Sequence, residues 1–237
     1  MKSLMSQKMN NSLRGHKVRK NKFYQLCIAL FVIIGSSPLA YSASEKTDHL
    51  AWSCFSCHGV DGASKGPAIP AIAGLSRNYI IGTMLSYKFS SDLEKAYELL
   101  DSKEDLEDVV VNKRNSATMN RIAEGYSLSE IIQLANYFSD QKIVKPEQVF
   151  DEESAKIGKK LHKKYCEKCH EDWGANATDD VGLLAGQWKH YLAFSFEDFN
   201  SGDRDMPKKM KKKMDKMQDK KGAESIDHLI NFYASQR

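Results

Sequence analysis

The sequence contains little cysteine and little proline. Only five residues of each type occur among its 237 residues, which excludes a disulfide-rich scaffold. No segment has the sustained alternation of apolar and polar residues that half-buried strands require. The apolar run at residues 23–34 is too short to span a bilayer as a stable helix. These absences favour a helical protein in which the few cysteines have a specific use.

Four of the five cysteines lie in two copies of one motif. The copies are Cys54-Phe55-Ser56-Cys57-His58 and Cys166-Glu167-Lys168-Cys169-His170. Cys-x-x-Cys-His is the attachment motif of c-type haem, in which two thiols bind one porphyrin and the histidine ligates the iron. A zinc or redox site is the alternative for a single copy. Two copies predict two haem c groups, with thioethers from Cys54, Cys57, Cys166 and Cys169 and with His58 and His170 as proximal ligands.

The N-terminal segment has the composition of an export signal. Its first 42 residues contain seven basic residues and no acidic residue, and the apolar run leads to Ala40-Tyr41-Ser42. This order is typical of a signal peptide. We predict cleavage after Ser42, with Ser44 as second choice and an uncleaved anchor as the alternative. Cleavage would leave a soluble periplasmic protein without stable membrane insertion.

Removal of this segment also changes the charge of the protein. The full chain carries a net charge of +4, and loss of the seven basic residues would leave −3. The basic pI of the full chain therefore gives no reason to expect nucleic-acid binding.

The chain is a divergent internal repeat. Alignment of the two haem motifs gives an offset of 112 residues, which also pairs Tyr79 with Tyr191. The last segments of the two halves, 134–139 and 229–234, match at an offset of 95. Two copies of one small domain are therefore predicted.

Helical periodicity recurs in both halves. Residues 154–165 carry an apolar stripe that leads to the second motif, and a Ser-x-x-Glu capping box at Ser127 precedes the apolar face of residues 128–138. The sequence predicts an all-α fold with each domain wrapped around one haem c. The predicted boundaries are 1–42 for the signal peptide, 45–140 for the first domain, 141–153 for a linker and 154–237 for the second domain.

The first half has an additional acidic segment near residues 90–114. Between residues 92 and 108, eight acidic residues stand against two lysines, which gives a local charge of −6. Ser91 and Glu94 predict a second capping box, followed by a helix. We interpret the segment as a solvated surface helix, and a docking element for a basic partner is the alternative.

Methionines are the candidates for the sixth ligand of each iron. A thioether ligand raises the potential of a haem and suits an electron carrier. Met119 ends the polar stretch 115–119, which we predict to be a loop, and it is the predicted ligand of the first iron. Met84 falls inside a predicted helix and is interpreted as a core residue.

In the second half, four methionines recur at helical spacing among lysines, so most of them are expected to pack inward. Met206 precedes Pro207 at the end of a loop that contains Gly202. We predict Met206 as the ligand of the second iron, with Met210 as the alternative.

The stretches around these residues resemble a known family. They are Gly66-Pro67-Ala68-Ile69-Pro70, Met119-Asn120-Arg121-Ile122-Ala123, Gly182-Leu183-Leu184-Ala185-Gly186-Gln187-Trp188 and Arg204-Asp205-Met206-Pro207. Together they resemble dihaem class I cytochromes c and, more narrowly, the cytochrome subunits of flavocytochrome c sulfide dehydrogenases. The resemblance implies two tandem class I cytochrome c domains.

The resemblance also implies partners. A separate FAD-containing subunit would oxidise sulfide, and this chain, without FAD of its own, would pass the electrons to a soluble periplasmic cytochrome c. The resemblance further implies that Pro67 lies behind the first haem and that its carbonyl fixes the tautomer of His58. No proline occurs at 180–183, so no equivalent contact is implied for His170. The acidic segment is a departure from the family.

Three functions follow as hypotheses. The first is an electron-transfer subunit of a sulfide dehydrogenase, with no enzymatic activity on its own. The second is a free-standing dihaem carrier that serves a terminal oxidase or reductase. The third is a dihaem peroxidase, which would need an exchangeable iron site with acid–base residues beside it. A methionine candidate for each iron disfavours the third.

Overall fold

Helices make up the regular structure of the chain. The computed structural model describes residues 43–177 and 181–236, and the predicted signal peptide lies outside the described residues. Within these ranges there is no strand, and a β-bridge joins Arg114 to Arg204. The prediction of an all-α fold is confirmed.

The first half places its haem motif at the end of a helix. Its helices are α1 (Ala43–His58), α2 (Arg77–Lys88), α3 (Leu93–Asp101), α4 (Ala117–Glu124) and α5 (Leu128–Ser139). Short 3-10 turns lie at Val60–Gly62 and Glu104–Leu106. The motif occupies the last residues of α1, so that His58 is its final residue.

The second half repeats this plan after a connection without helix. Its helices are α6 (Glu152–Tyr165), α7 (Glu171–Gly174), α8 (Lys189–Ser201), α9 (Lys208–Lys221) and α10 (Ser225–Ala234). The helices predicted at 154–165 and, in the first half, at 128–138 are confirmed. The second motif begins where α6 ends, with Cys166 as the C-cap residue.

The first hydrophobic core uses side chains from both halves of the sequence. Ile81, Leu85, Ile131 and Phe138 form its centre and are at most 2% exposed. Leu183, from the second half, belongs to the same buried cluster. The first core is therefore complete only when the second half is present.

The second core forms where α6 packs against α10. Tyr233, Phe232 and Met217 are almost fully buried in it. Gly158 of α6 allows the close approach, because a Cβ atom there would collide with the backbone carbonyl of His228 in α10. A side chain at this position would push the two helices apart.

One of the two predicted capping boxes is present. Ser127 Oγ accepts from the backbone N–H of Glu130, and the Glu130 carboxylate accepts from the backbone N–H of Ser127. The box predicted at Ser91 is wrong, because α3 begins after Asp92 without a side-chain cap. The Asp92 carboxylate instead pairs with Lys95 at 3.1 Å.

The acidic segment contributes to the first core while its charges stay in solvent. Ala96, Leu100, Leu106 and Val109 are buried against the core. The acidic side chains from Glu94 onward are exposed. The segment therefore stabilises the first half through its apolar stripe and presents its negative charge outward.

We predict that Leu106→Ala lowers the stability of the holoprotein by about 2–5 kcal/mol, the range for deletion of a buried leucine side chain. Denaturant unfolding followed by haem absorbance would measure the loss. Val110→Ala, at a 63%-exposed position in the same segment, is the matched control and should change stability little. Equal effects of the two substitutions would mean that the segment does not belong to the core.

Candidate haem sites

The first motif combines one partly buried thiol and one exposed thiol. Cys54 packs against the first core, whereas Cys57 is exposed. Burial raises the pKa of the Cys54 thiol, although a hydrogen bond from Ser53 lowers it. Both thiols lie on the last turn of α1 immediately before His58, so one helix end presents all three predicted haem-binding side chains.

A backbone carbonyl fixes the orientation of His58, but it is not the predicted one. His58 Nδ1 lies 2.9 Å from the carbonyl oxygen of Pro70, so the expectation that the Pro67 carbonyl makes this contact is wrong. Because a carbonyl only accepts, Nδ1 carries the proton and Nε2 is left with the lone pair that an iron needs. Burial lowers the pKa of His58, and the bond to Pro70 partly opposes this.

The loop between the motif and Pro70 explains which proline reaches His58. Ser64 Oγ donates to the carbonyl of Ile69 at 2.6 Å and accepts from the N–H of Gly66 at 3.0 Å. These bonds close a turn around Pro67, which is exposed. The turn directs the next proline, Pro70, toward the histidine.

His170 in the second motif lacks such a carbonyl partner among the described residues. Its Nδ1 is buried and makes no hydrogen bond within 43–177 and 181–236. Burial lowers the pKa of His170 to about 4, and His162 adds a smaller effect in the same direction. A neutral imidazole is the form that ligates iron.

His162 is a buried residue near the second motif that the sequence pattern does not single out. Its side chain is fully buried, and its Nδ1 lies 3.0 Å from the Tyr233 hydroxyl. Its Nε2 lies 2.7 Å from a Glu167 carboxylate oxygen, but not in the orientation of a hydrogen bond. Glu167 is one of the two residues between the cysteines, so this polar group adjoins the predicted haem-binding loop.

Met119 is half-buried and lies in a helix, so the prediction of a loop is wrong. Ser116 caps α4 by accepting from the backbone N–H of Met119. This cap starts the helix at Ala117, two residues before the methionine, and fixes the backbone of Met119. Met84 lies in α2, as predicted, and packs against the first core.

Met206 and Met210 both border the second core. Met206 lies in the loop before Pro207, which is the N-cap residue of α9, and Met210 lies in the first turn of that helix. Both are half-buried, and both pack against the buried cluster that Cys166 also contacts. The structure thus brings both candidates to the same core as the second motif.

The two halves meet around a buried arginine. Arg114 is only 9% exposed, and its guanidinium donates to the hydroxyls of Tyr79 at 3.3 Å and Tyr191 at 2.8 Å. Its guanidinium carbon also lies 5.2 Å from the centre of the Tyr87 ring. Tyr79 and Tyr191 are the pair that the internal repeat aligns, so Arg114 bridges equivalent positions of the two halves.

The charges at this junction change the acidity of Tyr79. Burial alone would raise its pKa, but Arg114 and then Arg204 outweigh burial and lower the pKa of Tyr79 to about 7. Arg204 Nη2 lies 3.4 Å from the same hydroxyl. Two cations from different halves thus share one tyrosine.

Backbone and side-chain bonds reinforce the junction. The N–H of Asp205 donates to the carbonyl of Lys113 at 2.9 Å, which forms part of the bridge between the halves. Gln187 makes two reciprocal bonds with the backbone of Ala71, at 2.9 and 3.0 Å. Trp188 packs directly over Gly66 and donates to the carbonyl of Ser64 at 3.2 Å. The haem-binding loop of the first half is therefore held by the second half.

No protein-family model matches the sequence. Cytochrome c4 of Pseudomonas aeruginosa is 26% identical over 189 residues, covering 76% of this chain and 83% of the relative. The cytochrome subunit of sulfide dehydrogenase of Chlorobaculum tepidum is 33% identical over 91 residues. This alignment covers 38% of this chain and 62% of the relative. Reduced recombinant cytochrome c4 from Pseudomonas stutzeri has a TM-score of 0.61 at 26% identity, with 81% of this chain and 98% of that structure aligned.

The fold is that of a dihaem class I cytochrome c. This agreement supports haem c as the cofactor and electron transfer as the general function of the chain. The residues at the motifs fit the group, because each half presents two thiols and a half-buried neutral imidazole at one end of a helix. Among the described residues, no three histidine, cysteine or acidic side chains are arranged to hold a metal ion by themselves.

We predict that Tyr79 of the dihaem cytochrome titrates near pH 7 and that Arg114→Met raises this pKa toward the ordinary value of about 10. Because the folded pKa lies below the unfolded one, the interaction adds stability as pH rises from 7 toward 10, and the gain is lost as pH falls through 7. NMR of the reduced protein labelled with ¹³C at the tyrosine Cζ would follow the titration.

Tyr79→Phe should remove the resonance that titrates and identify it as Tyr79. Thr83→Val is a control for Arg114→Met, because Thr83 also accepts from Arg114, at 3.4 Å, but carries no charge in this range. An ordinary pKa for Tyr79 in the native protein would show that the charge of Arg114 is neutralised by another group.

Proposed function

We propose that this chain is the electron-accepting cytochrome subunit of a sulfide dehydrogenase. Its two haem c groups would receive electrons from an FAD-containing subunit and deliver them to a soluble cytochrome c. The chain itself would catalyse no substrate reaction. The observation that carries the electron-transfer part is the presence of two complete haem motifs, each at a helix end, in two halves that share a buried junction. The similarity to the Chlorobaculum tepidum subunit supports the choice of partner.

Each half would supply its own set of haem ligands. Cys54 and Cys57 would bind the first porphyrin, with His58 and Met119 on its iron. Cys166 and Cys169 would bind the second, with His170 and either Met206 or Met210. The bound groups would supply reversible one-electron chemistry, and the half-buried imidazoles of His58 and His170 would hold them in a fixed orientation. We propose 45–140 and 154–237 as the two domains that carry these sets.

A free-standing dihaem carrier is the second candidate. The Pseudomonas aeruginosa cytochrome c4 aligns with most of this chain, whereas the sulfide dehydrogenase subunit aligns with less than half of it. This difference in coverage favours a carrier that acts without a flavoprotein. The two candidates share the same haem sites and differ only in the partner.

We propose a periplasmic location for either candidate. The basic, apolar and small-residue order of residues 1–42 supports export, and covalent haem attachment belongs on the exported side of the membrane. None of the helices in the described part of the chain has the length and apolar character needed to cross a bilayer.

We predict that Met119→Ala lowers the reduction potential of the first haem and leaves its iron high-spin or ligated by another group, because loss of a thioether ligand destabilises Fe(II). Redox titration with visible and magnetic spectra would measure both effects. Met84→Ala, which removes a methionine from the same half, should leave potential and spin state unchanged. An unaltered first haem in Met119→Ala would exclude Met119 as ligand. The same measurement on Met206→Ala and Met210→Ala would identify the second ligand.

We expect the native protein to co-purify with a flavin-containing subunit in a stoichiometric complex that reduces both haems on addition of sulfide. Absorbance near the flavin bands and the mass of the complex would test this. A protein that purifies alone, without flavin, and still exchanges electrons would favour the free-standing carrier. Rapid binding of peroxide or carbon monoxide at one iron would contradict both proposals.

A further inference from the structure

Helix α9 presents an unusual concentration of positive charge. It contains eight lysines and two aspartates within Lys208–Lys221, a net charge of +6. All eight lysines are exposed. Four lysine pairs stand four residues apart on the helix, an arrangement that destabilises a helix by repulsion. Lys211 forms an ion pair with Asp215 at 2.9 Å. The positive charge thus lowers the stability of the helix, so the helix does not gain stability from its concentration of lysines. A role in binding would explain why the lysines are there.

The same helix lies against the predicted second haem site. Its inner face places Met214 and Met217 in the second core, and Met210 packs against the same cluster as Cys166. The lysines therefore stand on the outer side of a helix whose inner side packs against the same buried cluster as Cys166 of the second motif. A partner bound to these lysines would therefore lie on the side of the second core, which Cys166 contacts, whereas Cys54 of the first motif packs against the other core.

We propose that α9 is the docking surface for an acidic redox protein that exchanges electrons with the second haem. This inference rests on the proposed electron-transfer function and adds the charge of the partner and the haem that it meets. Complementary charges steer encounter and fix orientation. The acidic segment, with its local charge of −6, packs against the first core and would repel the same partner from that part of the first half.

An anionic membrane is a less suitable occupant of this surface. A helix that lies in a membrane interface inserts an apolar face between the headgroups. The apolar face of α9 is already used, because Met214 and Met217 are at most 6% exposed. The large apolar side chains that are exposed in the described chain lie outside α9. Because the exposed side of α9 presents lysines and no large apolar side chain, a protein surface rich in carboxylates is the more suitable partner.

Electron transfer to small ions of opposite charge would test the local field. The reduced holoprotein would be oxidised by hexacyanoferrate(III) and, separately, by tris(1,10-phenanthroline)cobalt(III) in a stopped-flow instrument. The variant Lys208→Gln/Lys212→Gln/Lys216→Gln should react several-fold more slowly with the anion and faster with the cation at low ionic strength. The control Lys142→Gln/Lys160→Gln/Lys163→Gln loses the same charge at exposed positions outside α9. Both differences should vanish at high salt.

Binding of poly-L-glutamate would test docking itself. We expect the α9 variant to bind this acidic chain about tenfold more weakly than the native protein, since each exposed ion pair contributes modestly, while the control variant binds nearly as well as the native protein. Equal losses in the two variants would overturn the proposal. The proposal would also be overturned if the native protein bound phosphatidylglycerol vesicles, or associated with itself at low salt, and only the α9 variant lost this binding. A protein that exchanges no electrons with either ion would contradict the proposed function instead.

Discussion

The junction of the two halves depends on one buried cation. Arg114 has no carboxylate partner among the described residues and is held instead by two tyrosine hydroxyls and the face of a third ring. A buried charge is tolerated only where its donors are satisfied, and the planar guanidinium can reach several acceptors at once. Removal of this side chain would leave Tyr79 and Tyr191 without their shared donor. The relative position of the two haem-binding halves therefore depends on a contact that neither half could form alone.

The haem chemistry was accessible from the sequence because it is local. Cys-x-x-Cys-His fixes three ligands within five residues, and the helix that delivers it follows from a periodic apolar stripe. The hydrogen-bond partner of His58 could not be predicted in this way, because it lies twelve residues further along the chain. It depends on a turn closed by Ser64, which moves the contact from Pro67 to Pro70. The polar neighbours of Met119 predict a loop, but one of them, Ser116, is the N-cap residue of a helix, because its side chain accepts a hydrogen bond from the backbone N–H of Met119.

Contacts between the halves were the least predictable feature. Equivalence of Tyr79 and Tyr191 was visible as a repeat offset, but nothing in the pattern indicated that Arg114 would join them. Gln187 and Trp188 likewise stand in a recognisable stretch without any sign that they bind Ala71 and Ser64. Such contacts depend on tertiary geometry. The opposite charges of the acidic segment and α9, and their places in different halves, are visible in the sequence; the fold adds that each of the two stretches packs its apolar side chains against a different hydrophobic core.

Leu183 has a consequence for the history of the chain. It lies in the sequence of the second half, yet its side chain completes the first core. After a duplication, two such copies cease to be interchangeable modules, because each has become part of the folding environment of the other. A fragment containing the first half alone would lack the Leu183 side chain in its hydrophobic core. Substitutions in either copy must therefore stay compatible with the side chains of the other. The two halves of the repeat are therefore parts of one structural unit.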